Sequence, residues 1–441
     1  MSFEALRADV IDRGLCARCG LCAGVCPTGA IGFPDDLELY PELTGKCTDC
    51  GLCNKVCPGA EVDYPALSEQ VFGKPHDPLD PWGHMQKLWV GYPADKTVRD
   101  QGASGGLTTG ILLYLLNSGR IKGAVVLRMD PDKPYRAQAL VARTEEEIRS
   151  AAKSKYCIEP GMRALSGIRK EAGPFAVVGL PCQIHGLRRL ETVEPGLAEK
   201  IPYKLGLYCH YNMEVRGTLD GLRLGGIPLD EIAKFEYRGG GWPGGLISLT
   251  SDGQARPLHA KIIIKNFMSM MLRLYGAPRC FMCVDGMCQF ADLALGDFWA
   301  FDYPDHFGDL EWCSQVAVRT AIGREVIESG LKDGAFKLWE MPKERYPKRT
   351  RNFAREKQHE GYVRLRRFIR QGRDVPDYHF EIPKCRPIDW LAELLRFRLV
   401  RVFSGRRARE AVVKVLLSPF GTVLDRLNTV RKKIVLRFHG N

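Results

Sequence analysis

Short apolar runs alternate with longer amphipathic segments through the middle of the chain. The runs typical of buried strands lie at residues 123–128, 175–179 and 204–208. Residues 107–116 have the length and apolar content of a buried helix, and residues 145–152 form a second helical pattern that Thr144 opens as an N-cap. Alternating strands and helices predict an α/β fold with a mixed or largely parallel sheet covered by helices.

The pattern changes on both sides of this region. Pro75, Pro78 and Pro81 lie close together, and neither a helix interior nor a central strand tolerates such a group, which predicts a linker. A chain of 441 residues has room for two to three domains. We expect a small N-terminal α+β domain, a linker, an α/β body and a C-terminal extension at residues 1–64, 65–86, 87–340 and 341–441.

The C-terminal extension is basic and helical. Residues 390–402 and 408–417 place apolar side chains on one face and arginines on the other. Between Cys385 and Asn441 there are 13 Lys and Arg against 4 Asp and Glu, which accounts for nine of the twelve net positive charges of the chain. We expect either docking on an anionic membrane surface or an acidic partner, or a solvated appendage that packs on the body. No nucleic-acid-binding module accompanies the charge, so we expect no nucleic-acid partner.

The N-terminal part contains one cysteine pattern twice. Each copy reads C-x2-C-x2-C-x3-C-P, the spacing with which bacterial two-cluster ferredoxins bind [4Fe–4S] clusters. Since the fourth cysteine of each copy reaches the other cluster, the two predicted ligand sets are Cys16, Cys19, Cys22 and Cys57, and Cys47, Cys50, Cys53 and Cys26. Four-cysteine zinc sites are the alternative, but two complete copies with both prolines favour iron–sulfur clusters. Residues 30–33 are expected to form a strand between the cluster loops.

Cysteine usage also indicates a compartment. The chain has 16 cysteines, most of them at cluster spacing, and no signal peptide, which predicts a reducing cytoplasm. No apolar run reaches the roughly 18 residues of a membrane span. We therefore expect a cytoplasmic protein, with peripheral attachment to the cytoplasmic face of the membrane through the basic extension as the alternative.

Four stretches of the body attract attention together. They are residues 102–106 (GASGG), 153–156 (KSKY), 179–183 (GLPCQ), and Cys280-x2-Cys283-x4-Cys288 followed by residues 291–297 (ADLALGD). In this order, behind a two-cluster ferredoxin unit, they resemble the family of the beta subunits of coenzyme F420-reducing hydrogenase and F420-dependent dehydrogenases. The resemblance covers roughly residues 91–318 and does not reach the extension. It implies FAD, a third [4Fe–4S] cluster in the body, and hydride exchange with a deazaflavin or another organic acceptor.

The residues themselves are compatible with a flavin site. Glycines in residues 102–106 allow backbone N–H groups to approach a phosphate at the start of a helix, although a plain capping turn has the same pattern. Lys153 and Lys155 can supply charge to a pyrophosphate, and Tyr156 a ring that stacks on a flavin. A run of charged residues on the protein surface has the same pattern. Gln183 follows a strand end, where α/β sheets bind ligands. The expected cofactor-binding residues are Ser104, Gly105, Gly106, Lys153, Lys155, Tyr156 and Gln183.

The cysteines of the body provide three ligands on one loop and require a fourth from elsewhere. Cys280, Cys283 and Cys288 form the triad, and a structural zinc is the alternative reading. Cys182 and Cys209 are favoured for the fourth position over Cys157 and Cys313, without a choice between the two. Cys385 is expected to be a small, partly hydrophobic side chain.

Proton-handling residues are not identified by the sequence. His185, His210 and His306 lie nearest the motifs, and any of them is a candidate general acid or a structural histidine. Asp292 and Asp297 flank a predicted strand. One of them is expected to cap the turn, and a role in carrying protons is the alternative. The catalytic residues are therefore left unassigned.

The expected function is that of an iron–sulfur flavoprotein oxidoreductase. It passes electrons between an F420-type hydride carrier and, through FAD and the clusters, a ferredoxin or a partner redox subunit. Two alternatives share part of this chemistry. One is a ferredoxin-dependent reductase of another organic substrate, and the other is an electron-transfer adaptor without a small-molecule substrate.

Overall fold

Four adjacent parallel strands form the centre of the protein. In the computed structural model, an eight-stranded mixed sheet has the order β13-β3-β12-β11-β7-β6-β4-β5. The strands are β1 (Ile31–Gly32), β2 (Glu42–Leu43), β3 (Lys87–Pro93), β4 (Gly123–Met129), β5 (Ala137–Ala142), β6 (Phe175–Gly179), β7 (Tyr203–Leu207), β8 (Ile232–Gly239), β9 (Gly245–Thr250), β10 (Ala255–Pro257), β11 (Leu293–Phe298), β12 (Cys313–Val318) and β13 (Phe336–Glu340). The structure describes residues 2–241, 244–258, 264–299, 312–346 and 348–418, with isolated positions 420, 421, 423 and 427 beyond.

Helices cover both faces of this sheet and form most of the C-terminal extension. The α-helices are α1 (Phe3–Leu6), α2 (Leu21–Gly24), α3 (Leu52–Lys55), α4 (Tyr64–Phe72), α5 (Lys96–Gln101), α6 (Leu107–Asn117), α7 (Glu145–Ser150), α8 (Pro181–Val193), α9 (Pro195–Ala198), α10 (Val215–Leu224), α11 (Ile264–Leu274), α12 (Ala321–Lys332), α13 (Lys348–Arg370), α14 (Pro387–Glu393), α15 (Leu399–Arg401) and α16 (Arg406–Leu417). Wider π-helical turns occupy Arg7–Ile11 and Leu394–Arg398. Tighter 3-10 turns occupy Gly161–Ile168, Leu229–Glu231, Pro278–Phe281, Lys343–Arg345 and Val402–Ser404.

The sheet combines parallel and antiparallel pairing. Strand β11 pairs with β7, β7 with β6 and β6 with β4 in parallel, whereas the four remaining pairs are antiparallel. A separate three-stranded antiparallel sheet, β10-β9-β8, and the short β1–β2 pair complete the strands. The prediction of a mixed α/β body is confirmed. Its parallel strands end at one edge, the place where such sheets bind ligands.

Helix α4 differs from the expectation for this part of the chain. Most of it falls within the predicted linker, where prolines were expected to prevent a helix. Pro65 lies in the first turn of α4, and Asp63 caps that turn by accepting a hydrogen bond from the backbone N–H of Ala66 across 2.9 Å. A proline is tolerated there because the first-turn N–H groups have no partner within the helix.

One hydrophobic core is shared by the N-terminal domain, the body and the extension. Val56 of the N-terminal domain, Ile184 of α8 and Leu365 of α13 all belong to it, and each is fully buried. Backbone bonds reinforce this: Val62 N–H donates to Asp377 O across 2.8 Å, and Asp377 N–H donates to Ala60 O across 2.8 Å. The cysteine-rich domain is therefore fixed on the body rather than tethered to it.

Candidate functional site: three groups of cysteines

The first group joins cysteines of both sequence motifs. Cys16, Cys19, Cys22 and Cys57 line a single cavity, together with apolar side chains that include Leu6 and Val10. Burial, with the Cys57 thiol adding to it, raises the pKa of Cys16 to about 12. The thiols are therefore neutral without metal, and metal binding would have to displace their protons.

The second group lies nearer the surface. Burial raises the pKa of Cys53 to about 11, and the neighbouring thiols of Cys50, Cys47 and Cys26 act in the same direction. Cys50 is exposed. The thiol of Cys53 also contributes to raising the pKa of Cys22 in the first group. The two groups are thus adjacent, and the second one faces solvent.

Backbone amides point at the cysteine sulfurs in both halves of the domain. The N–H groups of Arg18 and Asp49 donate to the sulfurs of Cys16 and Cys47, each across 3.4 Å. Ala30 N–H donates to Cys26 across 3.3 Å, and Gly59 N–H donates to Cys57 across 3.4 Å. Hydrogen bonds to sulfur stabilise thiolates and set cluster potentials. This repeated donor arrangement fits two iron–sulfur clusters.

The third group collects cysteines from three parts of the body. Burial raises the pKa of Cys209 well above its usual value; Lys357 opposes this, and the thiols of Cys280, Cys182 and Cys283 add to it. Cys182 opens α8 directly after β6, and Cys209 follows β7. Because β6 and β7 are parallel neighbours, both cysteines emerge at the same edge of the sheet. Both candidates for the fourth position therefore lie with Cys280 and Cys283.

Cys288 differs from these four cysteines. Cys182, Cys209, Cys280 and Cys283 all remain partly exposed, whereas Cys288 is completely enclosed. A Cβ atom placed on Gly206 of β7 would lie 2.3 Å from the Cys288 sulfur. Cys288 thus packs tightly against the strand, although its thiol also lies near those of Cys209 and Cys182.

No three His, Cys, Asp or Glu side chains converge on a single-ion site within the parts of the chain that the structure describes. A tetrahedral zinc brings all its ligands within about 2.3 Å of one atom. A four-iron cube instead spreads its four thiolates over four metal atoms. The duplicated spacing of the motifs is what favours cubes over zinc.

Arginine side chains join the first group to the third. Arg279, next to Cys280, donates to Gly59 O across 2.9 Å, to Pro58 O across 3.2 Å and to the Tyr378 hydroxyl across 3.1 Å. Arg189 of α8 donates to Cys57 O across 2.8 Å. The thiol of Cys19 also contributes to raising the pKa of Cys182. The third group is thus directly next to the first.

The glycine-rich turn packs inside the protein. Gly105 N–H donates to the Ser314 hydroxyl across 3.0 Å, and the hydroxyl of Ser104 lies 3.0 Å from the same oxygen. Gly106 has a φ of +72°, and a Cβ there would lie 2.5 Å from Val98 O. These glycines are required by close packing against β12 and α5, and α6 begins directly after them.

The predicted lysines have partners within the protein. The Lys153 amino group lies 2.5 Å from a carboxylate oxygen of Glu236. Lys155 donates to carbonyl oxygens at the end of α7, including that of Ala152 at 2.8 Å, and burial lowers its pKa to about 7. Gln183 uses its side-chain oxygen to accept from Leu180 N–H across 2.8 Å at the start of α8. These contacts give each of the three residues a structural role.

Arg238 connects the turn with Tyr156, and sequence analysis missed it. Its nearly buried guanidinium donates to Ala103 O (2.7 Å), to Asp297 (2.8 Å) and to the Tyr156 hydroxyl (3.3 Å). It also lies 5.8 Å from the ring centre of Trp299. The arginine lies near the end of β8, but only tertiary contacts reveal its partners.

The remaining candidates are mostly structural. His185 lies 3.1 Å from the buried carboxylate of Asp285. Burial and nearby cations, first of them Arg273, lower the pKa of His210 well below its usual value. Asp292 accepts from Arg188 and from Lys204 N–H, each across 2.8 Å. His306 lies outside the described residues.

Comparison with known proteins places these features in a family. The family description "coenzyme F420 hydrogenase/dehydrogenase, beta subunit" matches in its N-terminal part residues 88–166 and in its C-terminal part residues 173–344, together more than half of the chain. A 4Fe-4S dicluster domain matches residues 8–58. Among the described residues no helix has both the length and the apolar character to cross a bilayer.

Relatives and a solved structure agree with this match. The chain is 29% identical to coenzyme F420-dependent sulfite reductase of Methanocaldococcus jannaschii over 74% of its own length, but spans only 48% of that protein. It is 27% identical to one of the subunits of the F(420)H(2) dehydrogenase of Methanosarcina mazei, over 73% of this chain and 84% of the relative. A chain of the F420-reducing [NiFe] hydrogenase complex from Methanosarcina barkeri shares the fold, with a TM-score of 0.53 and 23% identity over 68% of this chain and 98% of that one.

The relatives are oxidoreductases or their subunits, so the predictions of an oxidoreductase and of an iron–sulfur domain are confirmed. The resemblance inferred from the motifs is confirmed as well. The chain belongs to the family of coenzyme F420 hydrogenase/dehydrogenase beta subunits and carries a 4Fe-4S dicluster domain at its N-terminal end.

Proposed function

We propose that this protein passes electrons between an F420-type hydride carrier and a ferredoxin or partner redox subunit, using FAD and three [4Fe–4S] clusters. The observation that carries the proposal is the continuous series of three cysteine groups. It begins at the carboxyl edge of the parallel strands and ends at the protein surface.

The order of the groups gives the order of transfer. Cys182 of the third group lies next to Cys19 of the first group, and Cys22 of the first group lies next to Cys53 of the second group. Cys50 then faces solvent, where a partner protein has access. A hydride carries two electrons and a cluster accepts one, so each hydride delivered requires two single-electron transfers to the partner. The direction of flow depends on the potentials of carrier and partner.

We assign the body cluster to Cys182, Cys209, Cys280 and Cys283. The thiols of Cys280, Cys182 and Cys283 all act on the pKa of Cys209, and these four cysteines remain partly exposed, whereas Cys288 is buried against Gly206. In this assignment Cys288 packs beneath the cluster loop. This assignment differs from the ligand set expected from the sequence. That set consisted of Cys280, Cys283 and Cys288 on one loop, plus a fourth cysteine from elsewhere.

FAD, when bound, supplies the exchange between two-electron hydride chemistry and single electrons. The residues that would hold it surround Arg238: the turn at residues 103–106, the N-terminal end of α6, Tyr156 and Trp299. The helix end offers free N–H groups to a phosphate. Tyr156 and Trp299 would provide rings for stacking on the flavin. Arg238 holds the turn and Tyr156 in place through its hydrogen bonds to Ala103 O and the Tyr156 hydroxyl.

An electron-transfer adaptor is the second candidate function. It is favoured by the internal bonding of Lys153, Lys155 and Gln183, which leaves fewer side chains for a small ligand. Flavin content separates the two candidates. A ferredoxin-dependent reductase of another substrate would share every cofactor and differ only in the molecule that reduces or oxidises the flavin.

The extension is proposed to attach the protein peripherally at the cytoplasmic face of a membrane. Val402 is 71% exposed and Phe403 47% exposed, beside the exposed Arg406 and Arg407. The nearby acidic side chains are engaged within the protein: Glu393 with Arg367 at 2.9 Å and Glu410 with Arg223 at 2.9 Å. Apolar and cationic side chains side by side suit an anionic lipid surface.

Anaerobic purification followed by iron, sulfide and flavin analysis tests the proposal. About 12 irons and one FAD per chain are expected for three four-iron clusters and a flavin. About 12 irons without flavin would favour the adaptor. Only about eight irons would remove the body cluster and the proposed function with it.

A further inference from the structure

Lys357 is a buried cation that hydrogen-bonds to carbonyl oxygens. It belongs to α13 and is 1% exposed. Its amino group donates to the carbonyl oxygens of His210 and of Cys280, the latter across 3.0 Å. Glu356 and Glu360, close by in the same helix, pair with Arg396 instead. Among the described residues, none places a carboxylate oxygen within 4.0 Å of the Lys357 amino group.

A buried charge in such a position requires compensation. Removing an ammonium group from water is costly unless an opposite charge is nearby. The carbonyl dipoles and the ring of Tyr211, whose centre lies 4.5 Å from the Lys357 amino group, compensate only part of that cost. The two carbonyls it contacts belong to the segments that carry Cys209 and Cys280. The compensating negative charge is therefore expected at the third cysteine group.

A four-iron cube bound by four thiolates supplies such a charge, because its net charge is negative and becomes more negative on reduction. We propose that Lys357 is the counter-cation of the body cluster and raises its reduction potential. The inference rests on the proposed body cluster and adds a tuning residue to it. Since the reduced cluster has one more negative charge, the cation stabilises that state more than the oxidised one.

The location of Lys357 also gives the extension a role in the redox site. Lys357 packs so closely over the cluster loop that a Cβ on Gly286 would lie 2.9 Å from the Cβ of Lys357. Arg279 is also a buried cation next to Cys280, but it ties the loop of Cys280 to that of Pro58 and Gly59. Lys357 is therefore the cleaner residue for a test of charge.

Redox titration followed by electron paramagnetic resonance provides that test on the full-length, anaerobically purified protein. Lys357→Met removes the charge and keeps the length of the side chain, and Lys357→Arg keeps the charge. Lys348→Met is the matched control, because Lys348 is an exposed lysine of the same helix. Cys209→Ser identifies which signal belongs to the body cluster.

We expect Lys357→Met to retain about 12 irons and to make reduction of the body cluster at least tenfold less favourable, a shift of about 59 mV for one electron. The two other clusters, and all three in Lys348→Met, should keep their potentials. An unchanged body-cluster potential with full iron content would overturn the inference. If Lys357→Met loses iron, Lys357→Arg decides: restored iron and potential support the inference, and equal loss overturns it. A wild-type protein with about eight irons would instead overturn the proposed function.

Discussion

The guanidinium of Arg279 donates a hydrogen bond to the carbonyl oxygen of Gly59 across 2.9 Å. One residue beyond Arg279 lies a cysteine of the body group, and two residues before Gly59 lies a cysteine of the first group. A buried side chain thus fixes the distance between two proposed clusters. Because this contact lies inside the protein, electron transfer between the two proposed clusters requires no domain movement.

Gly24 makes the closeness of this interface testable. A Cβ at Gly24 would lie 2.1 Å from the backbone oxygen of Met162. The Met162 backbone cannot move without disturbing the hydrogen bond that its N–H donates to Cys19 O across 2.9 Å. We expect Gly24→Ala to destabilise the protein by at least about 2 kcal/mol, since overpacking forces the backbone apart. Thermal unfolding of the anaerobic protein would show this as a lower apparent melting temperature. Gly196→Ala, where a Cβ meets nothing within 4 Å, is the control and should not lower it.

The assignment of the body cluster predicts opposite results for two cysteines. Cys209→Ser should reduce the iron content from about 12 to about eight per chain, because it removes a ligand. Cys288→Ser should keep about 12, since the Cys288 sulfur is enclosed against Gly206. Iron and sulfide analysis of both variants checks this. Loss of iron in Cys288→Ser with retention in Cys209→Ser would refute the assignment.

His76 predicts a pH dependence of stability. Burial lowers the pKa of His76 from 6.5 to about 4. Between these values the unfolded chain binds a proton here that the folded protein does not, so stability rises with pH from about 4 to 6.5. The side chain is partly exposed, which limits the effect to roughly 1–2 kcal/mol.

His76→Phe keeps a ring next to Tyr64, whose centre lies 5.0 Å away, and removes the titration. Apparent melting temperatures at pH 5 and pH 7, at one heating rate, should therefore differ less in the variant than in the wild type. An equal difference in both proteins would show that another group causes the dependence.

The extension predicts binding to anionic vesicles. At low salt the protein should float with phosphatidylglycerol vesicles and much less with phosphatidylcholine vesicles, and salt should weaken the binding. The double substitution Val402→Glu and Phe403→Glu should abolish flotation, whereas Ile322→Glu, at a side chain of α12 that is 41% exposed, should not. Wild-type protein that floats with neither vesicle would favour an acidic protein partner for this surface.

Local spacing was sufficient to predict some features and not others. Each ferredoxin-type motif is a short loop, so its cysteines could be sorted into groups from sequence positions, and the structure brings the same residues together. Strand β6 was predicted with the observed ends because it is a short, continuous apolar run. The body cysteines were harder to group, because Cys182 and Cys209 meet only through the parallel pairing of β6 and β7. That pairing brings together residues distant in the chain, and spacing does not record it.

The proposed flavin region shows the same limit. The glycines at 105 and 106 have the pattern of a phosphate-binding turn, yet their close contacts are with Ser314 and Val98. Likewise Lys357, in the middle of a basic helix, looks like a surface lysine in the sequence. Only the packing of α13 over the cysteine loop reveals that it is buried.

The most direct test mixes anaerobic protein with reduced F420 and follows flavin absorbance together with the paramagnetic signals of the clusters. We expect rapid bleaching of the flavin, followed by single-electron reduction of the clusters, and in the Cys209→Ser variant we expect reduction to stop after the flavin. A protein that contains FAD and about 12 irons but keeps its clusters oxidised in the presence of reduced F420 would contradict the proposed transfer.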